Sequence, residues 1–146
     1  MYRLSFMAAL ISIGLFTGIL HSQTPMPPAA GDGSVENPFQ IESLENLKWL
    51  SANRENWNKH YIQTIDITAA KTFKDSGFTP IGDDVIAFTG TYNGRGHTID
   101  SLNISKAKQD YVALFGRISG KNCRIDSLGL TRISVLGQGW VGGLVG

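Results

Sequence analysis

Residues 98 to 105 read TIDSLNIS, and residues 124 to 131 read RIDSLGLT. Ile99, Asp100, Ser101 and Leu102 thus recur at Ile125, Asp126, Ser127 and Leu128, 26 residues later. The phrase Ile-Asp-Ser-Leu-x-Ile does not fit one alternating strand, because Ile99 has the opposite parity to Leu102 and Ile104. A corner at Asp100-Ser101 repairs this: all three apolar side chains then point inward, and Asp and Ser are residues whose side chains bond turn backbone. Short straight strands that meet at such corners, with equivalent residues stacked about 4.8 Å apart, build a parallel β-helix. The repeat predicts that Ile99 stacks on Ile125 and Leu102 on Leu128.

A second phrase recurs. YVALFG, residues 111 to 116, matches VGGLVG, residues 141 to 146, at a spacing of 30. Spacings that wander by a few residues suit a stack whose loops vary while its strands align. Upstream, Ser43 is placed to cap a helix whose Leu44, Leu47 and Leu50 share one side, with Glu45 in the first turn and an end near Asn53. YIQTIDIT, residues 61 to 68, reads as a strand on the common parity of Tyr61, Ile65 and Ile67.

The segment most suggestive of chemistry is FTGTYNGRGHTIDSLNIS, residues 88 to 105. A dinucleotide loop needs G-x-G-x-x-G between a strand and a helix, whereas Gly94 and Gly96 are followed by Ile at position 99 and by a strand. Without a helix N-terminus there is no dipole to hold phosphate. Asn93-Gly94 reads instead as a tight turn, both residues tolerating positive φ, with Gly96 easing the return into Thr98.

The chain has 146 residues, 42% hydrophobic, with 17 glycines and only 17% charged residues, a balance that favours strands and turns. Lys and Arg total 13 against 12 acidic residues, which asks for neither nucleic acid nor anionic lipid as a partner. One early Arg3, an apolar run from Leu4 to Leu20 and the small Ser22 make residues 1–22 a secretory signal peptide. A run broken by Ser5, Ser12, Gly14, Thr17 and Gly18 is marginal for a retained span, so no stable membrane span is expected after cleavage before Gln23. QTPMPPAAGDGS, residues 23–34, reads as a flexible tether, and residues 35–146 as the folded repeat region. Cys123 is the single cysteine, so no disulfide forms within the chain, and export without disulfides fits a bacterium.

FTGTYNGRGHTIDSLNIS, the Val112–Gly116 run VALFG, IDSLGL at 125 to 130 and VGGLVG at 141 to 146 together resemble the GLUG-motif family of bacterial surface and secreted proteins. The helix and FTPIGD at 78 to 83 are similar to that family's entry segment, so the resemblance covers about residues 34 to 146. Gly143-Leu144-Val145-Gly146 fits the name-giving motif, and Ala113 departs from it at its first glycine. The resemblance implies filamentous-haemagglutinin-like or adhesin-like repeats and supplies no catalytic residues.

The remaining candidates weigh toward structure. Asp100 and Asp126, one coil apart, suggest calcium or a shared proton, but two carboxylates fall short of a calcium shell of about six to eight oxygens, and corner-capping is the simpler role. Asp83-Asp84 reads as a solvated turn. His60 and His97 lack zinc-ligand spacing. Gly120-Lys121 is followed by Asn122 where a phosphate loop needs Ser or Thr, and Cys123 has no activating partner. Trp49, Trp57, Tyr61, Tyr92, Tyr111 and Trp140 could form a sugar-stacking surface, but most are expected to pack over the first coil or along its sides. No catalytic residue, metal ligand or cofactor is therefore assigned.

The expected fold is mainly β: the start of a right-handed parallel β-helix behind an N-terminal capping α-helix. The expected function is an exported, non-enzymatic repeat module at the bacterial surface or in the medium, contacting an extracellular protein or polysaccharide. The rivals are a carbohydrate-active β-helix enzyme or binding module, and the N-terminal repeat region of a larger secreted peptidase. WVGGLVG, residues 140 to 146, is apolar, with no charge after Arg132. On that reading the chain is truncated, continues into further coils, and aggregates or stays partly unfolded alone.

Overall fold

A computed structural model describes residues 24–146. The signal-peptide reading of residues 1–22 lies outside the described residues. Among the described residues the fold is mainly sheet with one α-helix. Strand β1 (Phe39–Ile41) leads into α1 (Leu44–Ala52) and a short 3-10 turn over Arg54–Asn56. Then follow β2 (His60–Gln63), β3 (Ile67–Thr68), a second 3-10 turn over Ala70–Phe73, β4 (Thr91–Asn93), β5 (Thr98–Asp100), β6 (Asn103–Ser105) and β7 (Asp110–Val112). The last strands are β8 (Arg124–Asp126), β9 (Gly129–Thr131), β10 (Ser134–Leu136) and β11 (Gly139–Val141).

α1 starts where Ser43 Oγ accepts the Asn46 amide at 3.1 Å and ends at Asn53, whose amide bonds the Trp49 carbonyl. Leu44, Leu47 and Leu50 all enter the core, as their spacing requires. The segment read as a tether is hydrogen-bonded to the body at several places, among them the His60 amide donating to the Gly33 carbonyl. The Met26 amide donates to the Glu45 carbonyl, and the Gln40 amide donates to that of Ala30.

Among the described residues all strand pairings are parallel, in four small sheets ordered β1-β2-β4-β8, β3-β5-β9, β6-β10 and β7-β11. Three passes of chain therefore run side by side. Tyr61 pairs with Tyr92 and Tyr92 with Ile125; Ile67 pairs with Ile99 and Ile99 with Leu130; Ile104 pairs with Val135. Isolated bridges extend the same order, from Ile81 to Phe115 and from Phe115 to Val145.

This register corrects the expectation that the two IDSL copies stack. Ile99 lies beside Leu130, 31 residues on, and Ile125 lies beside Tyr92, 33 residues back. Both copies do bend at their serine, Ser101 with φ 57° and Ser127 with φ 48°. The phrase thus encodes a kind of corner, used at two different places in a pass. Its inward geometry is as read, with Ile99, Leu102 and Ile104 fully buried.

The glycine-rich segment is a turn, shifted from its expected position. Positive φ falls on Arg95 (52°) and Gly96 (84°), not on Asn93-Gly94, and the His97 amide closes the turn on the Gly94 carbonyl at 2.8 Å. Asn93 Oδ1 accepts the Arg95 amide at 2.8 Å, the side-chain bond that turn-forming Asn supplies. This turn holds the two residues by which the 33-residue offset at Asn93↔Asp126 exceeds the 31-residue offset at Thr98↔Gly129. The strand read across 61 to 68 is also divided: Ile65 is 49% exposed between β2 and β3, because Asp66 turns to accept the Thr98 amide at 2.8 Å.

Between the strands runs an aromatic column. Phe39 lies 5.6 Å from Tyr61, Tyr61 lies 6.5 Å from Tyr92, and Phe115 lies 5.1 Å from Phe88 and 5.6 Å from Tyr92. Buried hydroxyls are satisfied: Tyr92 donates to Gln63 Oε1 at 3.0 Å, and the Gln63 amide nitrogen donates to the carbonyls of Ile65 and Thr98. Burial accordingly pushes the Tyr61 and Tyr92 hydroxyls well above the ordinary tyrosine range.

Candidate functional site

Of the six aromatic residues considered for a sugar-stacking surface, four belong to the interior or its margin. Tyr61, Tyr92 and Trp57 are buried, the indole N–H of Trp57 donating to the Leu50 carbonyl at 2.8 Å, and Trp49 packs edge-on against Phe39 at 5.5 Å. Tyr111 and Trp140 differ. They stack on each other across neighbouring passes with ring centroids 5.1 Å apart and planes 6° apart, and Trp140 is 64% exposed. Both sit at positive φ, 57° and 47°, an outlying conformation for a bulky side chain.

Beside this pair lies a cleft of about 450 Å³, between the end of α1, the loop of residues 79–84 and the approach to β7. Ser51, Arg54 and Trp57 line one wall, Asp83 and Asp84 another, and Lys108, Gln109, Asp110 and Tyr111 the third. Arg54 is placed twice over, ion-paired to Asp83 and stacked over Trp57 at 5.7 Å. Asp83 also accepts the amides of Val85 and Ile86 at 3.0 and 2.9 Å, which fixes the loop. Arg117 donates to the Asp84 carbonyl at 2.9 Å and lies over the Tyr111 ring at 5.9 Å. The side chains of Lys108, Gln109 and Asp110 and the Tyr111 hydroxyl make no hydrogen bond or ion pair among the described residues.

Against known proteins, the chain is 39% identical over 90 residues to Halomucin of Haloquadratum walsbyi, covering 56% of this chain and 1% of that protein. It is 33% identical over 87 residues to a protein of Evansella cellulosilytica described as a Gly-rich membrane protein, covering 58% of this chain and 10% of that protein. The chain therefore spans a small part of the curated relatives it matches. No family model matches it, and no solved structure does.

The other candidates separate in space. Asp100 pairs with Thr131 and Asp126 with Asn93, so the two carboxylates expected to stack do not meet. The cause is the register: the two IDSL corners occupy different columns. His60 bonds Thr91 Oγ1 at 2.8 Å, and His97 faces Asp66 at 3.3 Å. Among the described residues no group of three or more His, Cys, Asp or Glu could hold a metal, and no helix is long and apolar enough to cross a membrane. Cys123 is half-buried against the core, with its thiol near the Phe88 carbonyl at 3.5 Å, and burial raises its pKa.

Asp100 instead ties two passes together. It accepts from Arg132 through both Nε and Nη2, from Thr131 Oγ1 at 2.7 Å and from Ser101 Oγ at 2.9 Å. These bonds, Arg132 foremost, hold its carboxyl well below the usual carboxylate range. A depressed folded-state pKa contributes stability above the unfolded value of about 3.9 that is lost as pH falls toward the folded value. Asp100→Asn is thus expected to be less stable than the parent at pH 7. The gap should close as pH drops below about 4, read by denaturant unfolding at pH 7, 4 and 2.5. A gap independent of pH would remove the ion pair as its cause.

Proposed function

We propose that the chain is an exported, non-enzymatic repeat module, a right-handed parallel β-helix of the GLUG type that presents its outer faces for cell-surface adhesion or extracellular ligand contact. The observation that carries this reading is the parallel pairing of successive passes near a 31-residue interval, as at Ile67↔Ile99↔Leu130 and Ile104↔Val135. Such a stack buries its apolar residues inward and leaves whole faces to solvent, which suits broad surface contact better than one enclosed reaction centre. The segment of residues 1–22 supports export, and the likeness to parts of a protein named Halomucin and of one described as a Gly-rich membrane protein supports a surface location.

The reading is tested by expressing the full chain in a secreting bacterial host. Exported protein is expected to begin at Gln23, and beads coated with it to retain bacterial cells or extracellular polymer above beads coated with an unrelated domain. Retention of Met1 in the cytoplasm, or coated beads that capture nothing, would overturn it.

A further inference from the structure

We propose that a groove along α1, opening at Pro25 and ending in the cleft beside Tyr111, binds an extended polypeptide segment of an extracellular partner, one Lys or Arg of that segment seated between Asp84 and Asp110. This deepens the adhesive reading and rests on it. The cleft is not isolated. A second hollow of about 660 Å³ adjoins it, walled by Pro25, Lys48 and Ala52 and by Asp75, Gly77 and Phe78. The two share Ser51, Arg54 and Thr79, so they form one continuous groove between α1 and the loop of residues 75–84. No residue after Tyr111 lines it, so the third pass takes no part in its walls.

The head of the groove already holds polypeptide. The Met26 amide donates to the Glu45 carbonyl at 3.1 Å, and Asn46 Nδ2 donates to the Met26 carbonyl at 3.0 Å, which sets Pro25 in the groove mouth. One side of α1 thus accepts a peptide main chain that has no regular structure of its own. The nine residues of α1 span about 13 Å, which an extended chain rising about 3.3 Å per residue covers in about four residues. The walls are fixed before such a segment arrives. Lys48 pairs with Asp75 at 2.9 Å, Ser51 Oγ donates to the Thr79 carbonyl at 2.6 Å, and Arg54 pairs with Asp83. Fixed walls leave less to be ordered on binding.

The two ion pairs cancel in charge, and what remains lies at the far end. There the Asp84 and Asp110 carboxylates and the Lys108 ammonium are reached by no hydrogen bond or ion pair among the described residues. Two carboxylates against one ammonium favour a basic side chain and oppose an acidic one. Gln109 both donates and accepts, as the carbonyls and amides of an extended main chain require.

Exported protein beginning at Gln23 is panned against a phage-displayed library of random heptapeptides, and the consensus peptide is synthesised and titrated by calorimetry. A consensus with one invariant Lys or Arg is expected, with saturable binding that Asp84→Asn and Asp110→Asn together weaken about tenfold or more. Lys108→Gln should strengthen binding several-fold, a change of opposite sign that a folding defect does not produce. All three side chains are exposed and free of bonds among the described residues, so the melting temperature should not move. No enriched sequence, a consensus without a basic residue, or binding indifferent to these substitutions would overturn the proposal. Coated beads that retain cells although no peptide is selected would sink this groove and leave the adhesive reading standing. Peptide binding without cell retention would do the reverse.

Discussion

Phe115→Ala is expected to lower stability by about 3 to 5 kcal/mol, the range for removing a fully buried aromatic ring. Phe115 is 0% exposed and sits where three passes meet, bridged to Ile81 on one side and to Val145 on the other. Its ring touches Phe88 at 5.1 Å and Tyr92 at 5.6 Å, so the cavity left by alanine opens between the end of one pass and the start of the next. Collapse is hindered because the flanking backbone is pinned: the Phe115 amide donates to the Leu144 carbonyl and the Gly116 amide to that of Ile81. Against a domain stability of about 5 to 15 kcal/mol, such a loss is a large fraction of the total. Urea unfolding should show a lower midpoint at an unchanged slope. A loss under about 1 kcal/mol would mean that the ring is not packed between passes.

Gly94→Val is expected to cost about 3 kcal/mol, the upper end of what overpacking costs, for a reason of space and not of φ. A Cβ at position 94 would lie 2.5 Å from the Ser127 carbonyl oxygen and 2.6 Å from the Leu128 Cα, both backbone atoms of the next pass. Neither can move without breaking the bond from the Gly94 amide to the Asp126 carbonyl, 2.7 Å, that joins β4 to β8. Gly96 is the reverse case, with φ at +84° and nothing within 4 Å of its added Cβ. Gly96→Ala should therefore cost only about 1 kcal/mol, the strain of a left-handed alanine. Thermal or chemical unfolding of both variants checks the order; Gly96→Ala being the more damaging would contradict the close approach of the passes.

The helix was legible because its signals are local: Ser43 caps, and Leu44, Leu47 and Leu50 repeat on one side. The inward set Ile99, Leu102 and Ile104 was legible for a similar reason, since the parity break at Asp100-Ser101 is a property of the six consecutive residues 99 to 104. Register was not. Matching letters at Ile99 and Ile125 reported matching corners, while pairing was settled by loop length, including the two residues inserted at the Arg95-Gly96 turn. Ile65 misled in the same way: its parity fits a strand, but Asp66 bonds the Thr98 amide of the next pass, a partner 32 residues away. The cleft draws on three separated segments and has no local signature, although one clue was present. Tyr111-Val112 and Trp140-Val141 repeat an aromatic-valine pair, and Val112 does pair with Val141.

The central claim is that successive passes lie in parallel at the longer register, and nuclear Overhauser contacts across the passes measure it directly. In isotope-labelled protein the account predicts backbone contacts between Ile99 and Leu130, between Tyr92 and Ile125, and between Ile104 and Val135, with the cross-strand pattern of parallel pairs. Contacts linking Ile99 to Ile125 and Leu102 to Leu128, or the close α-proton pairs of antiparallel strands, would contradict it.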